Sequence, residues 1–331
     1  MATIKDVAKL AGVSIATVSN VLNGRRYVSP ELRSAVLQAV RTLGYVPNGV
    51  AQSLRSRKTQ TLGLIVPDIT NPFFNGLVRV LERSARDRGY QMLLSNSEEN
   101  AELEFDLALA LASRQVDGLI VIPTQDSPEY LRKLKADGLP VVLLDRIGGE
   151  DDLDRVGVDN FQAARVGTEF LIRQGHREIL LLVSTLELSN IRDRVEGYRQ
   201  ALAAAGIPQD PRWVVECGKD APSLEAVLEA IRQRRPTAIF ASTNRLSLLA
   251  IQAIRRLKLG FPEEISLLGF DDFEWSTLLE PYLSAVVQPI EALGFQAAQI
   301  LLDRLKGDTS PPKRVLLACD LAGRQSVRRI G

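Results

Sequence analysis

The chain has 331 residues, 45% hydrophobic and 24% charged, with 41 Lys and Arg against 40 Asp and Glu. That suffices for about two domains with cores of their own and excludes intrinsic disorder, while two cysteines and a single histidine exclude a disulfide framework, a cysteine metal site and a paired-histidine zinc motif. The net charge of +1 is unevenly spread: residues 1–60 hold nine basic and two acidic side chains, and the remaining 271 carry −6.

Thr3 reads as the cap of an amphipathic helix over Ile4 to Ala11, with Ile4, Val7, Ala8 and Ala11 on one face. Gly12 and Val13 make a turn, and Ser14 caps a second helix from Ile15 to about Leu22. A third helix begins at Pro30 behind Ser29 and ends near Gly44. Two short helices joined by a glycine turn form a helix-turn-helix, and the basic surplus supplies the electrostatic attraction that a DNA duplex requires. A small helical cap or dimerisation module fits the same pattern.

From Thr61 onwards, apolar strand-sized runs alternate with amphipathic stretches. Strands are expected at Leu62–Pro67, Gln91–Ser95, Gly118–Ile122, Val141–Leu144, Glu178–Val183, Trp213–Cys217, Ala238–Ala241, Ile265–Phe270 and Leu283–Val287. Helices are expected at Phe73–Arg88, Glu102–Ser113, Ala163–Gln174 and Leu246–Lys258, among others. The pattern nearly repeats around Asn160, which predicts two doubly wound α/β lobes with ligands at strand C-terminal ends and between the lobes. No G-x-G loop, P-loop or G-x-S-x-G elbow occurs, so nothing points to an enzyme or to a cofactor. No apolar run approaches the ~18 residues of a membrane span, and no apolar signal segment follows Met1. A cytoplasmic, nucleoid-associated protein is expected.

The residues Thr3-Ile4-Lys5-Asp6-Val7-Ala8, Gly12-Val13-Ser14, Thr17-Val18-Ser19, Val21-Leu22-Asn23 and Gly44-Tyr45-Val46-Pro47 resemble the headpiece of the LacI/GalR family of bacterial repressors. The resemblance implies that Ile15 to Asn20 open a recognition helix in the major groove. Ile15 and Ala16 offer apolar contact to a thymine methyl, Asn20 suits adenine, and Thr17 and Ser19 act as neutral donors. Thr3, Ser14, Asn23, Arg26 and Arg55 are carried over as further DNA contacts. Pro47 to Leu54 is similar to the family's hinge segment, a helix on DNA that wedges its leucine, here Leu54, between base pairs. Gly49 departs from the alanine often found there.

The remainder resembles the same family's effector domain, which shares the periplasmic-binding-protein fold. The implied organisation is a headpiece at 1–46, a hinge and linker at 47–60, and a two-lobed effector-binding and dimerisation domain at 61–331. Lobe one takes about 61–159 and 289–318, and lobe two about 160–288 and 319–331. Effector contacts are carried over to Asn71, Phe73, Phe74, Arg146, Arg194, Asn244, Asp271 and Gln288, with no metal and no catalytic residue. Asn244 stands where relatives often have an aspartate, and no aromatic residue lies near Gly218-Lys219-Asp220. The cations Arg146, Arg192, Arg194 and Lys219 then favour a sugar acid, with a neutral sugar second and a purine third.

The function implied is a repressor of a sugar or sugar-acid operon, released from a pseudo-palindromic operator by its effector. A corepressor-dependent repressor and a solute-binding protein are the alternatives. The sequence ends soon after its last predicted strand, without a further leucine heptad, so a homodimer is expected. His176 reads as structural, and Asp151, Asp152 and Asp154 as a solvated loop.

Overall fold

The computed structural model describes residues 2–23, 27–46, 58–126, 128–149, 152–218 and 223–331, with the side chain of Asn23 excepted. Arg26, the segment Pro47 to Leu54, Arg55, Asp151 and Lys219 therefore lie outside the described residues. The chain divides into two compact units, Met1–Thr59 and Gln60–Gly331.

The described residues of the first unit form three helices, α1 (Ile4–Ala11), α2 (Ile15–Asn23) and α3 (Pro30–Leu43). Each starts on a side-chain cap. Thr3 and Asp6 form a reciprocal capping box, Ser14 Oγ accepts from the Thr17 amide at 3.1 Å, and Ser29 caps α3 with Pro30 in its first turn. Gly12 and Gly44 end α1 and α3 in the left-handed conformation, at φ 64° and 57°. Val7, Ala8, Val18, Val21, Val36 and Ala39 pack into one small core.

The second unit opens with β1 (Thr61–Val66), α4 (Pro72–Arg86), β2 (Gln91–Asn96), α5 (Ala101–Ser113), β3 (Gly118–Val121), α6 (Glu129–Ala136), β4 (Val141–Leu144) and β5 (Asp154–Val158). It continues through α7 (Asn160–Arg173), β6 (Ile179–Val183), α8 (Ser189–Ala204), β7 (Val214–Glu216), α9 (Leu224–Arg234), β8 (Ala238–Ala241), α10 (Asn244–Arg256), β9 (Ser266–Phe270) and β10 (Ser284–Val287). Last come α11 (Ile290–Leu305), β11 (Arg314–Leu317) and β12 (Asp320–Ala322).

These strands form two six-stranded sheets, ordered β11-β5-β4-β3-β1-β2 and β12-β10-β9-β8-β6-β7. The orders correspond strand for strand, so the repeat read around Asn160 is a repeat of topology. Among the described residues the neighbouring strands pair in parallel, save β12, which runs antiparallel to β10. Helices cover both faces of each sheet, with separate apolar clusters on either side. The chain passes between the sheets three times: after β5, after β10 and between β11 and β12. Helix α11 returns Leu293, Ala297 and Leu301 to the core beneath the first sheet.

The expected α/β architecture of two doubly wound lobes is present. Three strands were not expected. β11 and β12 are short and only partly buried, whereas β5, Asp-Arg-Val-Gly-Val, is buried throughout despite its charges. The charges are satisfied inside. Asp154 takes two bonds of 2.8 Å from Arg304 on α11, and Arg155 donates to the carbonyls of Ile147 and Gly149. Asp154 is thus a buried anchor rather than part of a solvated loop, while Asp152 stays 40% exposed at its side chain.

Candidate functional site

On the first unit, Val18 and Val21 face the core, leaving Ser14, Ile15 and Ala16 exposed and Thr17, Ser19 and Asn20 half-buried. Ser14 Oγ and Thr17 Oγ1 lie 2.9 Å apart, so both hydroxyls take part in the cap. Thr3 is exposed, but its hydroxyl donates to Asp6 Oδ2 at 2.7 Å. What it can offer another group is a lone pair. Ile15, 45% exposed, presents an unpartnered apolar side chain at the head of α2, the kind of contact that a major groove can take.

In the second unit, one cleft between the two lobes gathers all eight residues expected there: Asn71, Phe73, Phe74, Arg146, Arg194, Asn244, Asp271 and Gln288. Its enclosed space is about 70 Å³ behind an open mouth, so the cleft is narrow. Two aspartates sit at matching places in the repeat. Asp145 follows β4 and Asp271 follows β9, each in the left-handed region, at φ 65° and 73°. Each donates its amide to the neighbouring strand, at Val156 and Val286 respectively. Non-glycine residues held in this conformation gather at working sites, since the strain persists only where the surroundings enforce it.

Arg194 owes its position to a glycine. A Cβ on Gly197 would stand 2.1 Å from the Phe161 carbonyl oxygen, so only glycine lets α8 approach α7 this closely. One turn earlier, Arg194 then donates to Asn160 Oδ1 at 2.8 Å and to the Ser242 carbonyl, and its guanidinium lies 3.6 Å from the centre of the Phe270 ring. This is the physical content of the R-x-x-G spacing. Phe73 and Phe74 meet edge to face at 5.4 Å and serve two purposes, being buried in the lobe-one core while lining the cleft. Asn71 Oδ1 caps α4 through the Phe73 amide and accepts from Asn244 Nδ2 at 2.6 Å across the cleft. An aspartate at 244 would set an acceptor against that acceptor, whereas the amide supplies a donor.

The charge of the cleft differs from expectation. Arg146 is held by Glu99 in a two-point ion pair, with nitrogen–oxygen distances of 2.5 and 2.6 Å, and also donates to the Pro123 carbonyl. Arg245 lies 3.4 Å from Asp68 across the lobes. Arg192 points away from the cleft, to Asp126 and the carbonyls of Leu186 and Glu187. The lining therefore holds four carboxylates, Asp68, Glu99, Asp145 and Asp271, against three guanidiniums. Among the described lining residues there is no cationic surplus: Arg146 and Arg245 meet Glu99 and Asp68, and Arg194, bonded to Asn160 and the Ser242 carbonyl, lies near the charges of Asp271 and Asp145. Burial pushes Asp271 up to about 6, against the opposing pull of the Arg194 charge and of Gln288. Asp145 is raised by the same cause.

Glu99 and Asn190 are among the cleft residues that sequence reasoning missed, with Ser184, Leu188, Ile191 and Thr243. Glu99 stands in the loop after β2, where the rule of strand C-terminal ends pointed, and Asn190 lies one turn before Arg194. His176 is fully buried between Thr237 Oγ1 and the Arg328 carbonyl, both 3.1 Å away, in the structural role expected.

Comparison with known proteins completes the assignment. Residues 59–325 match the model of periplasmic binding proteins and the sugar-binding domain of the LacI family, and residues 3–48 match that of bacterial regulatory proteins of the lacI family. The chain belongs to the lacI family of bacterial regulatory proteins. Catabolite control protein A of Priestia megaterium is 37% identical over 329 residues, 98% of this chain and 99% of that one. The ribose operon repressor of Haemophilus influenzae is 34% identical over 99% of each chain. Among solved structures, the lac repressor dimer bound to operator and the anti-inducer ONPF matches this LacI-family protein with a TM-score of 0.84, at 26% identity over 99% of each chain. The transcriptional regulator CelR–cellobiose complex matches at a TM-score of 0.73 and 31% identity, covering 98% of this chain and all of that one. No helix of the described residues is long and apolar enough to cross a membrane.

Proposed function

We propose that this protein is a cytoplasmic, nucleoid-associated transcriptional repressor whose dimer holds a pseudo-palindromic operator until a neutral sugar occupies the inter-lobe cleft. In this reading residues 1–46 contact DNA, 47–60 form the hinge and linker, and 61–331 bind effector and dimerise. The role is regulatory, as it is in the relatives, and uses no catalytic residue.

The observation that carries the effector class is the unmet hydrogen-bonding capacity of two residues that line the cleft. Gln288 donates its Nε2 to Asp271 Oδ1 at 2.7 Å, which fixes the amide and leaves Oε1 as an acceptor. Gln288 Oε1 and Asn190 Oδ1 are both buried without a hydrogen-bond partner among the described residues. Buried acceptors of this kind call for donors. The hydroxyls of a sugar supply them, whereas the carboxylate of a sugar acid would face acceptors and four carboxylates. Phe73 and Phe74 add apolar surface to the cleft wall. The relative complexed with cellobiose supports the same class.

Fluorescence anisotropy of labelled operator, titrated with protein in the presence of neutral aldoses, aldonates or purines, tests the proposal. Release by a neutral aldose is expected. Tightening by any ligand would instead make the protein corepressor-dependent, and release by an aldonate alone would remove the neutral-sugar assignment.

A further inference from the structure

We propose that Glu99 sets the charge selectivity of the cleft: by occupying Arg146, it keeps the site for neutral sugars and denies acidic ones the guanidinium they would need. The inference rests on the reading of the cleft as the effector site and names the residue that decides which sugars enter.

Three observations support it. Glu99 and Arg146 are almost fully enclosed, with side chains 11% and 9% exposed, and they meet through both carboxylate oxygens and both terminal nitrogens. A planar two-point pair of this kind leaves little of the guanidinium for a second carboxylate. The backbone is also committed to the contact. Glu98 and Glu99 are consecutive non-glycine residues in the left-handed region, at φ 53° and 57°, a costly arrangement maintained by the Glu99 amide donating to the Pro67 carbonyl and by Asn100 capping α5. The strained loop delivers the carboxylate to the cleft wall.

The other acidic groups near Arg146 do not duplicate this role. Glu104 accepts from the Thr124 amide and the Tyr130 hydroxyl, and Asp145 feels the charges of Arg194 and Arg146 without a hydrogen bond to either. Phe74 covers the guanidinium at 5.8 Å. With Glu99 made neutral, two Arg146 nitrogens would turn to the cleft with their charge no longer matched at close range.

The test is calorimetric titration of the full-length protein with D-glucose and D-ribose against D-gluconate and D-glucuronate, for the native sequence, Glu99→Gln and Glu99→Asp. The native protein is expected to bind a neutral sugar more tightly than the acids. Glu99→Gln is expected to raise the acid-to-neutral affinity ratio about tenfold, as one close charge–charge contact allows. The double variant Glu99→Gln/Arg146→Gln is expected to lose that gain, which a merely structural effect of Glu99 would not produce. Because removing half of a buried pair can cost the fold, Glu99→Asp provides a second reading. Its shorter side chain withdraws from at least one nitrogen, and a rise of about threefold in the same direction is expected. A native protein that already prefers acids overturns the inference, as does an unchanged ratio in both single variants. Absence of binding by any of the four probes to any variant removes the reading of the cleft and this inference with it. A native protein that binds neutral sugars while the ratio stays fixed overturns the inference alone.

Discussion

The Arg194 guanidinium is held by the Asn160 side chain, the Ser242 carbonyl and the Phe270 ring, beside the charges of Asp145 and Asp271. Truncation to alanine would remove more than a ligand contact, since two buried carboxylates would lose their cation. Arg194→Ala is expected to cost about 3–5 kcal/mol of stability, read as a lower midpoint in urea unfolding, besides losing the effector response. At Asp271 the folded-state value of about 6 lies above the ordinary 3.8, so the folded form holds a proton through that window that the unfolded chain releases. The buried carboxylate therefore costs stability above about pH 6, and the cost is relieved as pH falls towards the ordinary value. Burial pushes His176 the other way, so acid below its ordinary 6.5 favours unfolding. The two oppose each other in any stability profile, and effector affinity is the cleaner readout. Affinity for a neutral sugar is expected to fall as pH drops through about 6, because a protonated Asp271 loses an acceptor, and Asp271→Asn is expected to flatten the profile.

Among the elements, α7 and α8 depend on the missing side chain of Gly197. Gly197→Ala places a carbon where the Phe161 carbonyl oxygen already sits, and an overpacking cost of about 1–3 kcal/mol is expected, measurable as a drop in thermal midpoint with weakened effector binding. Strand β2 poses a different question. It closes one edge of the first sheet with Leu93 and Leu94 each 38% exposed, and Phe105 and Leu109 of α5 are exposed as well. An apolar edge of this kind invites pairing, and the proposed dimer is expected to use it. Leu94→Glu is expected to shift the protein towards monomer in sedimentation velocity and to weaken operator binding about tenfold or more, since each headpiece then binds its half-site alone.

Across the whole molecule, charge is divided by unit. Residues 1–60 carry +7 and the rest −6, so the DNA affinity is expected to fall steeply with salt, as counterion release requires. A titration between low and physiological salt checks this; a flat response would contradict the assignment of the basic segment to DNA. Within the effector unit, the lobes also meet outside the cleft. Asp126, after β3, accepts from the Ser189 amide, the Ser189 hydroxyl and Arg192 at the start of α8. A Cβ on Gly148 would intrude on that contact at 2.2 Å from Ser189 Oγ. Asp126→Ala is expected to loosen the lobes and weaken effector affinity several-fold, with little change in operator affinity without effector.

The sequence by itself determined the elements, their alternation and the identity of the residues at strand ends, because propensity, capping and apolar periodicity are local. It therefore led to the helix-turn-helix and the doubled sheet, while the eight residues that share one cleft came from the resemblance to the family. It could not show β5, whose Asp154 and Arg155 look like surface until α11 and the Ile147–Gly149 loop satisfy them. Nor could it show the charge of the cleft. Arg146 and Glu99 are 47 residues apart in the chain, and a count of cations near the motifs assigns no partners. Only the tertiary structure brings Arg146 to Glu99 and Arg245 to Asp68. Electrostatics inside a protein is decided by such distances, and those distances support the proposal of a neutral sugar where the cation count had pointed to an acid.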